Sequence, residues 1–339
     1  MTAPRRRASL SASASLLSTP SYRPPPVLPS PVAIIDIGSN SIKLLVAARG
    51  PRGQPETVFS RTLDTRISAG ISRSRPQLGE AGMAAGVAAI RELVADAVRV
   101  GARGTVLVAT SAVRDAGNGA EFRERVRQAT GSTIRILTGV EEANLIGRGL
   151  TCDPALAGLR DFYVFDLGGG SLECLVFRDR RAVQEISLPL GCVRLTEQCV
   201  PDPSRPFGQA EREAVVQAVD AALVTAGFSF SLPASAAVIG TGGTLTTARA
   251  ILASRAGQTL EEMDPLLTLA RLRELRDGLG ALPLAARKNV AGLPPARADV
   301  FPTALATLLA VAEFGRFSAY RHSFYNLRWG LAAEELAKG

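Results

Sequence analysis

The chain has 339 residues, 46% of them apolar, and a net charge of +8, and this length is enough for two domains of ordinary size. It holds one histidine and no C-x-x-C pair, which argues against a zinc site and against a Ser-His-Asp triad. No apolar run approaches the roughly 18–20 residues of a membrane-spanning helix. We therefore expect a cytoplasmic protein with no membrane partner, whose four cysteines are free thiols.

The first 31 residues differ in composition from the rest of the chain. They are rich in Ser, Ala and Pro and contain four arginines but no acidic residue. This composition predicts a disordered tail, spanning 1–31. It also resembles an organelle transit peptide, whereas a simple tail or an over-extended translation start is the plainer account. The remaining +4 of charge includes no basic run interleaved with aromatic residues, so we expect no nucleic-acid partner.

Strands and helices are predicted to alternate along the rest of the chain. The predicted strands lie near 32–37, 42–48, 56–63, 105–110 and 133–137, on both sides of the turn in "DFYVFDLGGGSLECLVF" (161–177), and near 181–188 and 236–240. The predicted helices lie near 78–100, 119–129, 139–150 and 209–226 and from 244 onwards, with a proline-punctuated loop at 292–297. The apolar face of the first helix is predicted at positions 83, 87, 90, 94 and 98, and Asn118 is predicted to cap the second. This alternation predicts an α/β protein with mixed sheets and two similar lobes, spanning 32–151 and 152–339. In this division the last helix either stays with the second lobe or packs back on the first.

One stretch of sequence occurs twice. The segment "IIDIGSNSIKLLV" (34–46) aligns without a gap with "VFDLGGGSLECLV" (164–176), and Asp36 falls on Asp166. Each copy predicts a strand, a tight turn and a second strand, because apolar runs flank glycine and small polar residues. A carboxylate at the end of a buried strand, beside a loop with free N–H groups, is typical of a metal–phosphate site. Two ordinary hairpins are the alternative.

Five segments at the ends of predicted strands gather small and charged residues, where ligands bind in open α/β sheets. They are Asp36 to Ser41, Thr110 to Arg114, Glu141 with Glu142, Asp166 to Glu173, and Gly240 to Thr244. The chain has no Walker A loop, and its "GTGGT" turn fails the G-x-G-x-x-G spacing of a nicotinamide site. That turn either holds an anion at a helix N-terminus or simply connects a strand to a helix.

The charged residues of these segments also have two interpretations. Glu141 and Glu142 in the first turn of a helix either favour the helix dipole or include the group that activates water, since no histidine is available for that task. Arg114, after a Thr-Ser strand end, is either a solvated arginine or a phosphate clamp.

Together these motifs resemble a known family. The paired turns and "GTGGT" look like the phosphate and adenosine motifs of the actin, heat-shock-protein and sugar-kinase superfamily. Five stretches more narrowly resemble the exopolyphosphatase and guanosine pentaphosphate phosphohydrolase (Ppx/GppA) family. They are "DIGSNSIKLLV", "ATSAVRDAGNG", "ILTGVEEANLIGRGL", "DLGGGSLE" and "LPLGCVRLTE". The resemblance covers about residues 32–339 and implies two ribonuclease-H-like lobes with a cleft between them.

The resemblance also implies an activity, which is removal of a terminal phosphoryl group with Mg²⁺. The implied catalytic residues are Glu142, which serves the water, Asp166 and Arg114. The implied phosphate-binding residues are Gly38, Ser39, Asn40, Ser41, Ser111, Gly168, Gly169, Gly170, Ser171, Gly240, Gly242 and Gly243. The implied metal ligands are Asp36, Asp166 and Glu173.

Three features depart from the family pattern. We expect the short form of the family, without the C-terminal helical domain of longer members. The loop "TRISAGI" is looser than the usual Arg-Leu-Gly-x-Gly-Leu, which leaves the roles of Arg66 and Gly70 open. The stretch "HSFYNLRWGLA" keeps only Arg328 and Gly330 of the usual C-terminal pattern.

We expect an exopolyphosphatase that acts on inorganic polyphosphate. A guanosine pentaphosphate phosphohydrolase is the nearest alternative, and sequence alone does not separate the two. An actin-like ATPase or sugar kinase and a non-catalytic sensor of polyphosphate or nucleotide are the more distant alternatives. A homodimer is compatible with each of them.

Overall fold

The computed structural model describes residues 31–69, 71 and 76–338. The predicted tail therefore lies outside the described residues, apart from Pro31, and so does Gly70. Within the described ranges, no helix is both long enough and apolar enough to cross a membrane.

The first sheet has five strands in the order β3-β2-β1-β4-β5. They are β1 (Val32–Ile37), β2 (Ser41–Arg49), β3 (Pro55–Asp64), β4 (Thr105–Ala109) and β5 (Ile134–Ile136). The strands β1, β2 and β3 form an antiparallel meander, and β4 and β5 continue the sheet parallel to β1. The sheet is therefore mixed.

The second sheet repeats this arrangement with six strands in the order β10-β11-β9-β6-β7-β8. They are β6 (Phe162–Leu167), β7 (Leu172–Arg178), β8 (Arg181–Leu188), β9 (Ala237–Thr241), β10 (Leu266–Thr268) and β11 (Ala319–His322). Here β6, β7 and β8 form the meander, while β9 pairs parallel with β6 and β11 pairs parallel with β9. The predicted α/β fold with two similar halves is confirmed.

Eleven α-helices connect the strands of the described residues. They are α1 (Glu80–Arg99), α2 (Ser111–Arg114), α3 (Gly119–Thr130), α4 (Gly139–Thr151), α5 (Cys192–Cys199), α6 (Gln209–Ala226), α7 (Gly243–Ala256), α8 (Leu269–Gly280), α9 (Leu284–Arg287), α10 (Phe301–Gly315) and α11 (Leu327–Ala337). Short 3₁₀ helices occupy Pro154–Leu156 and Pro295–Arg297.

Three apolar cores hold these elements together. One packs α1 and α3 on the first sheet, and we call this unit the first lobe. A second packs α5, α6, α7, α8 and α10 on the second sheet, which forms the second lobe. The third core lies between the sheets, where Ile34 and Val164 of the central strands meet Ile146 of α4 and Trp329 of α11. Helices α4 and α11 thus form a central layer between the lobes.

Two glycines let the helices of the central layer cross closely. A Cβ atom on Gly149 would lie 2.0 Å from the backbone oxygen of Asn326, and one on Gly330 would lie 2.1 Å from that of Leu145. Real Cβ atoms do not approach backbone oxygens so closely, because the van der Waals overlap is prohibitive. Any larger residue at either position must push α4 and α11 apart.

Most predicted elements agree with the structure to within two residues, and three details were wrong. Val98, predicted to be on the apolar face of α1, is 70% exposed. Asn118 precedes α3 but its side chain bonds the backbone of Leu78 instead of capping the helix. The strands β10 and β11 fall in a region predicted to be mostly helical. The four cysteines are free thiols, as expected.

The single histidine has a structural environment. His322 is buried and its ring nitrogens lie 3.1 Å from Thr246 Oγ1 and 3.0 Å from an Arg249 guanidinium nitrogen. Burial, followed by repulsion from Arg249, lowers the pKa of His322 to about 3. The ring is therefore neutral near neutral pH.

The lobe boundary near 151–152 stays a prediction.

The close crossing can be tested by Gly330→Ala, which we expect to destabilise the protein by about 1–3 kcal/mol, the range for overpacking. Thermal and urea unfolding would measure the loss. Gly278→Ala is the matched control, because Gly278 is an exposed glycine in α8 with open space around its Cα. Alanine there should be neutral or stabilise the helix by up to about 1 kcal/mol. Equal stability of the Gly330 variant and wild type would contradict the packing argument.

Candidate active site

The two copies of the sequence repeat form the same turn. The first loop (38–41) joins β1 to β2, and Gly38 N donates to Ser41 O at 3.2 Å. The second loop (168–171) joins β6 to β7, and Gly168 N donates to Ser171 O at 3.0 Å. Both loops leave a strand of the same position in its sheet, so the structural repeat follows the sequence repeat.

The two loops face each other across a cleft between the lobes. A Cβ atom on Gly169 would lie 2.7 Å from Ser39 Cβ, and one on Gly170 would lie 2.2 Å from Ser111 Oγ. Only glycine allows this approach, since a side chain at either position would collide with the opposite lobe. The glycines of the second loop therefore set the width of the cleft.

The cleft collects most of the predicted site residues. Those lining it are Asp36, Gly38, Ser39, Asn40, Ser41, Ser111, Glu142, Asp166, Gly168, Gly169, Gly170, Ser171, Glu173, Gly242 and Gly243. Arg114 lies behind Glu142. Gly240 does not line the cleft; a Cβ atom there would lie 2.0 Å from the side chain of Leu245, so this glycine serves packing.

The two adjacent glutamates of α4 have different environments. Glu141 forms a capping box with Thr138 and pairs with Arg135, and these contacts lower the pKa of Glu141 to about 2. Glu142 points into the protein and is only 7% exposed. Burial and then repulsion from Glu173 raise the pKa of Glu142 well above its usual range, while Arg114 opposes the rise. Glu141 is thus the structural residue and Glu142 the one in the cleft.

Arg114 ends the short helix α2 and holds Glu142. Its Nη1 donates to Leu137 O at 2.9 Å and to Glu142 Oε2 at 3.3 Å, and its Nε donates to Asp115 Oδ1 at 3.3 Å. Because the guanidinium fork is rigid, these contacts fix the direction of the Glu142 carboxylate.

The repeat carries different charges in its two copies. Asp166 pairs across the hairpin with Glu173, whereas Asp36 pairs with Lys43. Burial raises the pKa of Asp166 to about 6. Burial, followed by repulsion from Asp166, raises the pKa of Glu173 to about 7, although Ser187 Oγ donates to Glu173 at 2.8 Å. Two carboxyls thus crowd the second lobe, and an acid–base pair occupies the first.

A metal site composed only of protein ligands is not preformed in the described part of the chain. No group of three or more His, Cys, Asp or Glu side chains lies close enough there to hold a metal ion by itself. The assignment of Asp36, Asp166 and Glu173 as ligands stays a prediction.

Arg66, whose role the sequence left open, connects the first loop to the second lobe. Its Nε donates to Asn40 Oδ1 at 3.2 Å, and its guanidinium pairs with Asp299 and donates to Ala296 O at 2.6 Å. The contact fixes the amide of Asn40, whose buried Nδ2 finds no partner among the described residues. A buried N–H without an acceptor is costly, so the first loop carries one unsatisfied donor.

Sequence reasoning missed several residues that line the cleft. They are Lys43, Ile146, Cys192, Arg297, Asn326 and Leu327. Two of the basic ones had a signal that was not used: Lys43 lies inside the repeat, at the position of Glu173, and Arg297 lies in the proline-punctuated loop. Arg297, Asn326 and Leu327 are far along the chain from the other site residues, which hid their convergence on the cleft.

A second recess continues from the cleft past Lys43, Gly243 and Arg297. It is also lined by Arg328, whose guanidinium lies 5.1 Å from the centre of the Trp329 ring. Lys43, Arg297 and Arg328 therefore line one recess beside the cleft, which suits a ligand with several negative charges.

Two mixed sheets whose equivalent hairpin loops meet across a polar cleft define the actin-like two-lobe architecture. Within it, paired small-residue loops and buried carboxylates are those of a phosphate-handling protein. The model of the Ppx/GppA phosphatase family matches residues 45–338, and the chain belongs to this family. The expected family membership is confirmed.

Two relatives of the chain are named for the two activities of the family. The chain is 31% identical over 284 residues to Exopolyphosphatase 2 of Mycobacterium tuberculosis (strain CDC 1551 / Oshkosh), covering 79% of this chain and 86% of that one. It is 27% identical over 312 residues to the guanosine-5'-triphosphate,3'-diphosphate pyrophosphatase of Vibrio vulnificus (strain YJ016), covering 90% of this chain and 59% of that one.

Solved structures share the fold. An exopolyphosphatase from Cytophaga hutchinsonii superposes with a TM-score of 0.81 at 23% identity, covering 91% of this chain and 98% of that one. The Aquifex aeolicus PPX-GPPA enzyme gives a TM-score of 0.72 at 24% identity, covering 90% and 99%.

The contrast between the adjacent glutamates predicts opposite effects on stability. A raised pKa means that folding disfavours the charged form of Glu142. The loss of stability from this charge therefore grows as pH rises above the pKa of Glu142 in the unfolded chain. We expect Glu142→Gln to raise the melting temperature relative to wild type at pH 8, and to do so less at pH 5, measured in chelator.

Glu141→Gln is the control with the opposite sign. A lowered pKa means that the charged form of Glu141 stabilises the fold at any pH above the pKa of this group in the unfolded chain. This stabilisation is lost as pH falls towards 2. This variant should therefore melt slightly below wild type at pH 8. A lower melting temperature for Glu142→Gln at pH 8 would show that pairing with Arg114 outweighs burial.

Proposed function

We propose that the protein is an exopolyphosphatase that transfers the terminal phosphoryl group of inorganic polyphosphate to water. The observation that carries this proposal is the position of Glu142. It is a buried carboxylate held by Arg114 at the cleft where the first loop (38–41) and the second loop (168–171) meet. A carboxylate there can orient and deprotonate water in line with a phosphoryl group bound between the loops. Its raised pKa makes it a stronger base than an exposed glutamate.

The loops supply the binding site for the terminal phosphate in this proposal. Backbone N–H groups and the hydroxyls of Ser39, Ser41, Ser111 and Ser171 surround the cleft. The unpartnered Nδ2 of Asn40 adds a donor that requires an acceptor. Phosphoryl transfer needs positioned donors more than covalent chemistry, so this arrangement is suited to it.

The carboxyls fit a magnesium ion that is completed by the substrate. Mg²⁺ prefers oxygen ligands and commonly takes one or two carboxylates together with waters and phosphate oxygens. Asp166, with Asp36 or Glu173, would hold it. Burial raises the pKa values of Asp166 and Glu173, and a bound cation would favour the ionised form of both carboxyls. The ion would neutralise charge that develops on the transferred phosphoryl group.

The residues that line the second recess favour a polymeric anion as the substrate and disfavour the nucleotide of a kinase. The guanidinium of Arg297 lies against Gly243, so a cation covers the "GTGGT" turn where an adenosine pocket would open. Lys43 and Arg328 line the same recess. A chain of phosphates leaving the terminal site would meet these cations in turn, while Glu142 leaves water as the acceptor.

Guanosine pentaphosphate is the second candidate substrate, favoured by one observation. The recess also contains Trp329 and Phe324, aromatic groups against which a base can stack. The similarity to the Vibrio vulnificus pyrophosphatase supports the same reading.

The role of Glu142 predicts a large loss of rate in Glu142→Gln. We expect polyphosphate binding to persist and kcat to fall on the order of 10²-fold or more, the range for a lost general base. Glu141→Gln is the matched control, because it changes the adjacent acid but keeps a residue compatible with a capping box. Its rate should stay within about twofold of wild type. An unchanged rate in Glu142→Gln would remove this residue from the mechanism.

Substrate choice can be measured by phosphate release with Mg²⁺ from short polyphosphate, long polyphosphate, guanosine pentaphosphate and ATP in parallel. We expect release from polyphosphate, with loss in chelator and recovery when Mg²⁺ is restored. Faster turnover of guanosine pentaphosphate would move the assignment to the nucleotide. ATP turnover that requires a sugar or another acceptor would make the protein a kinase, and binding without turnover would make it a sensor.

A further inference from the structure

Arg194 and Asp115 form an ion pair that joins the two lobes beside the cleft, although neither side chain lines it. Arg194 lies in α5 of the second lobe, and Asp115 follows α2 of the first. Arg194 Nη2 donates to Asp115 Oδ2 at 2.7 Å, and Arg194 Nε donates to Gly170 O at 3.0 Å. The arginine thus binds the second loop and the first lobe at once.

The pair continues towards the water-activating residue. Asp115 Oδ1, the oxygen that Arg194 does not use, accepts from Arg114 Nε at 3.3 Å. Arg114 in turn donates to Glu142 Oε2 at 3.3 Å. An unbroken series of contacts therefore runs from the Gly170 carbonyl through three charged side chains to Glu142.

We propose that Asp115 and Arg194 are positioning residues for hydrolysis, which act by holding Arg114 against Glu142 when the lobes are closed. This inference rests on the proposed function. Asp115 fixes Arg114 from the side opposite Glu142, so the guanidinium cannot swing away from the carboxylate. Arg194 couples that position to the second loop, because a shift of Gly170 would pull on the same aspartate.

The geometry distinguishes this role from that of a surface ion pair. Arg194 is the less exposed partner, with only 14% of its side chain accessible, and its two donors point to two different lobes. Partly exposed ion pairs contribute little to stability. A misplacement of a catalytic group by about 1 Å, in contrast, can cost on the order of 10²-fold in rate.

A double-mutant cycle on Asp115→Asn and Arg194→Lys tests the proposal. We expect each single change to lower kcat for short polyphosphate about tenfold and to leave KM within about twofold. The double variant should be no slower than the slower single one, since both changes break one series of contacts. Additive losses, or a rise in KM with kcat unchanged, would overturn the proposal.

Matched controls separate positioning from general stability. Arg61→Lys and Asp96→Asn break another arginine–aspartate pair, at 2.7 Å within the first lobe and away from the cleft, and should leave kcat unchanged. Should they lower kcat as much as the Asp115 and Arg194 changes do, the effect is one of stability and the proposal is wrong.

A crystal structure of the Asp115→Asn variant tests the geometry without turnover. We expect the Arg114 guanidinium to leave Glu142, and an unchanged position would overturn the inference. If the wild-type protein hydrolyses polyphosphate and the Asp115 and Arg194 variants have the same kcat, only the positioning role is refuted. A wild-type protein that hydrolyses none of the phosphate substrates would refute the proposed function, while the crystal structure would still decide the position of Arg114.

Discussion

The close crossing of α4 and α11 is the constraint on which the rest of the structure depends. Their backbones touch at Gly149 and Gly330, between two sheets that each bury one face against them. This contact fixes where the N-terminal ends of both helices emerge. The first turn of α4 carries Glu142, and the start of α11 carries Asn326 and Leu327, so the central layer places one wall of the cleft. Helices make a stiff support, which suits a site that works by position.

The internal repeat explains how the same backbone serves two electrostatic tasks. Both copies make the same turn, yet Lys43 stands where the second copy has Glu173. In the first copy the lysine and Asp36 offset each other. In the second copy Asp166 and Glu173 lie opposite each other, and burial is the main cause that raises the pKa of each carboxyl. The asymmetry makes one lobe acidic at the cleft and leaves the other close to neutral.

Much of the fold and part of the site could be predicted from the sequence, because those features are local. The paired hairpins and the α/β alternation follow from periods of two and 3.6 residues and from glycine-rich turns. The contacts that complete the site are not local. Arg66 meets Asp299 across 233 residues, and Arg194 meets Asp115 across 79. No periodicity predicts such pairs, since they depend on how the lobes dock. Local pattern also could not separate Glu141 from Glu142, because both favour a helix start and only burial distinguishes them.

The charge of the cleft limits what the proposed reaction can be. Glu142, Asp166 and Glu173 are buried together, and a polyphosphate end carries the same sign. The substrate and the carboxyls can share the cleft only if a cation lies between them or if protons stay on the carboxyls. Protons on Glu142 would remove the base that the reaction needs. Lys43 and Arg297 line both the cleft and the adjoining recess. In the proposed reaction, a cation that binds with the substrate would favour the ionised form of Glu142, so metal binding, substrate binding and the ionisation of Glu142 would be coupled.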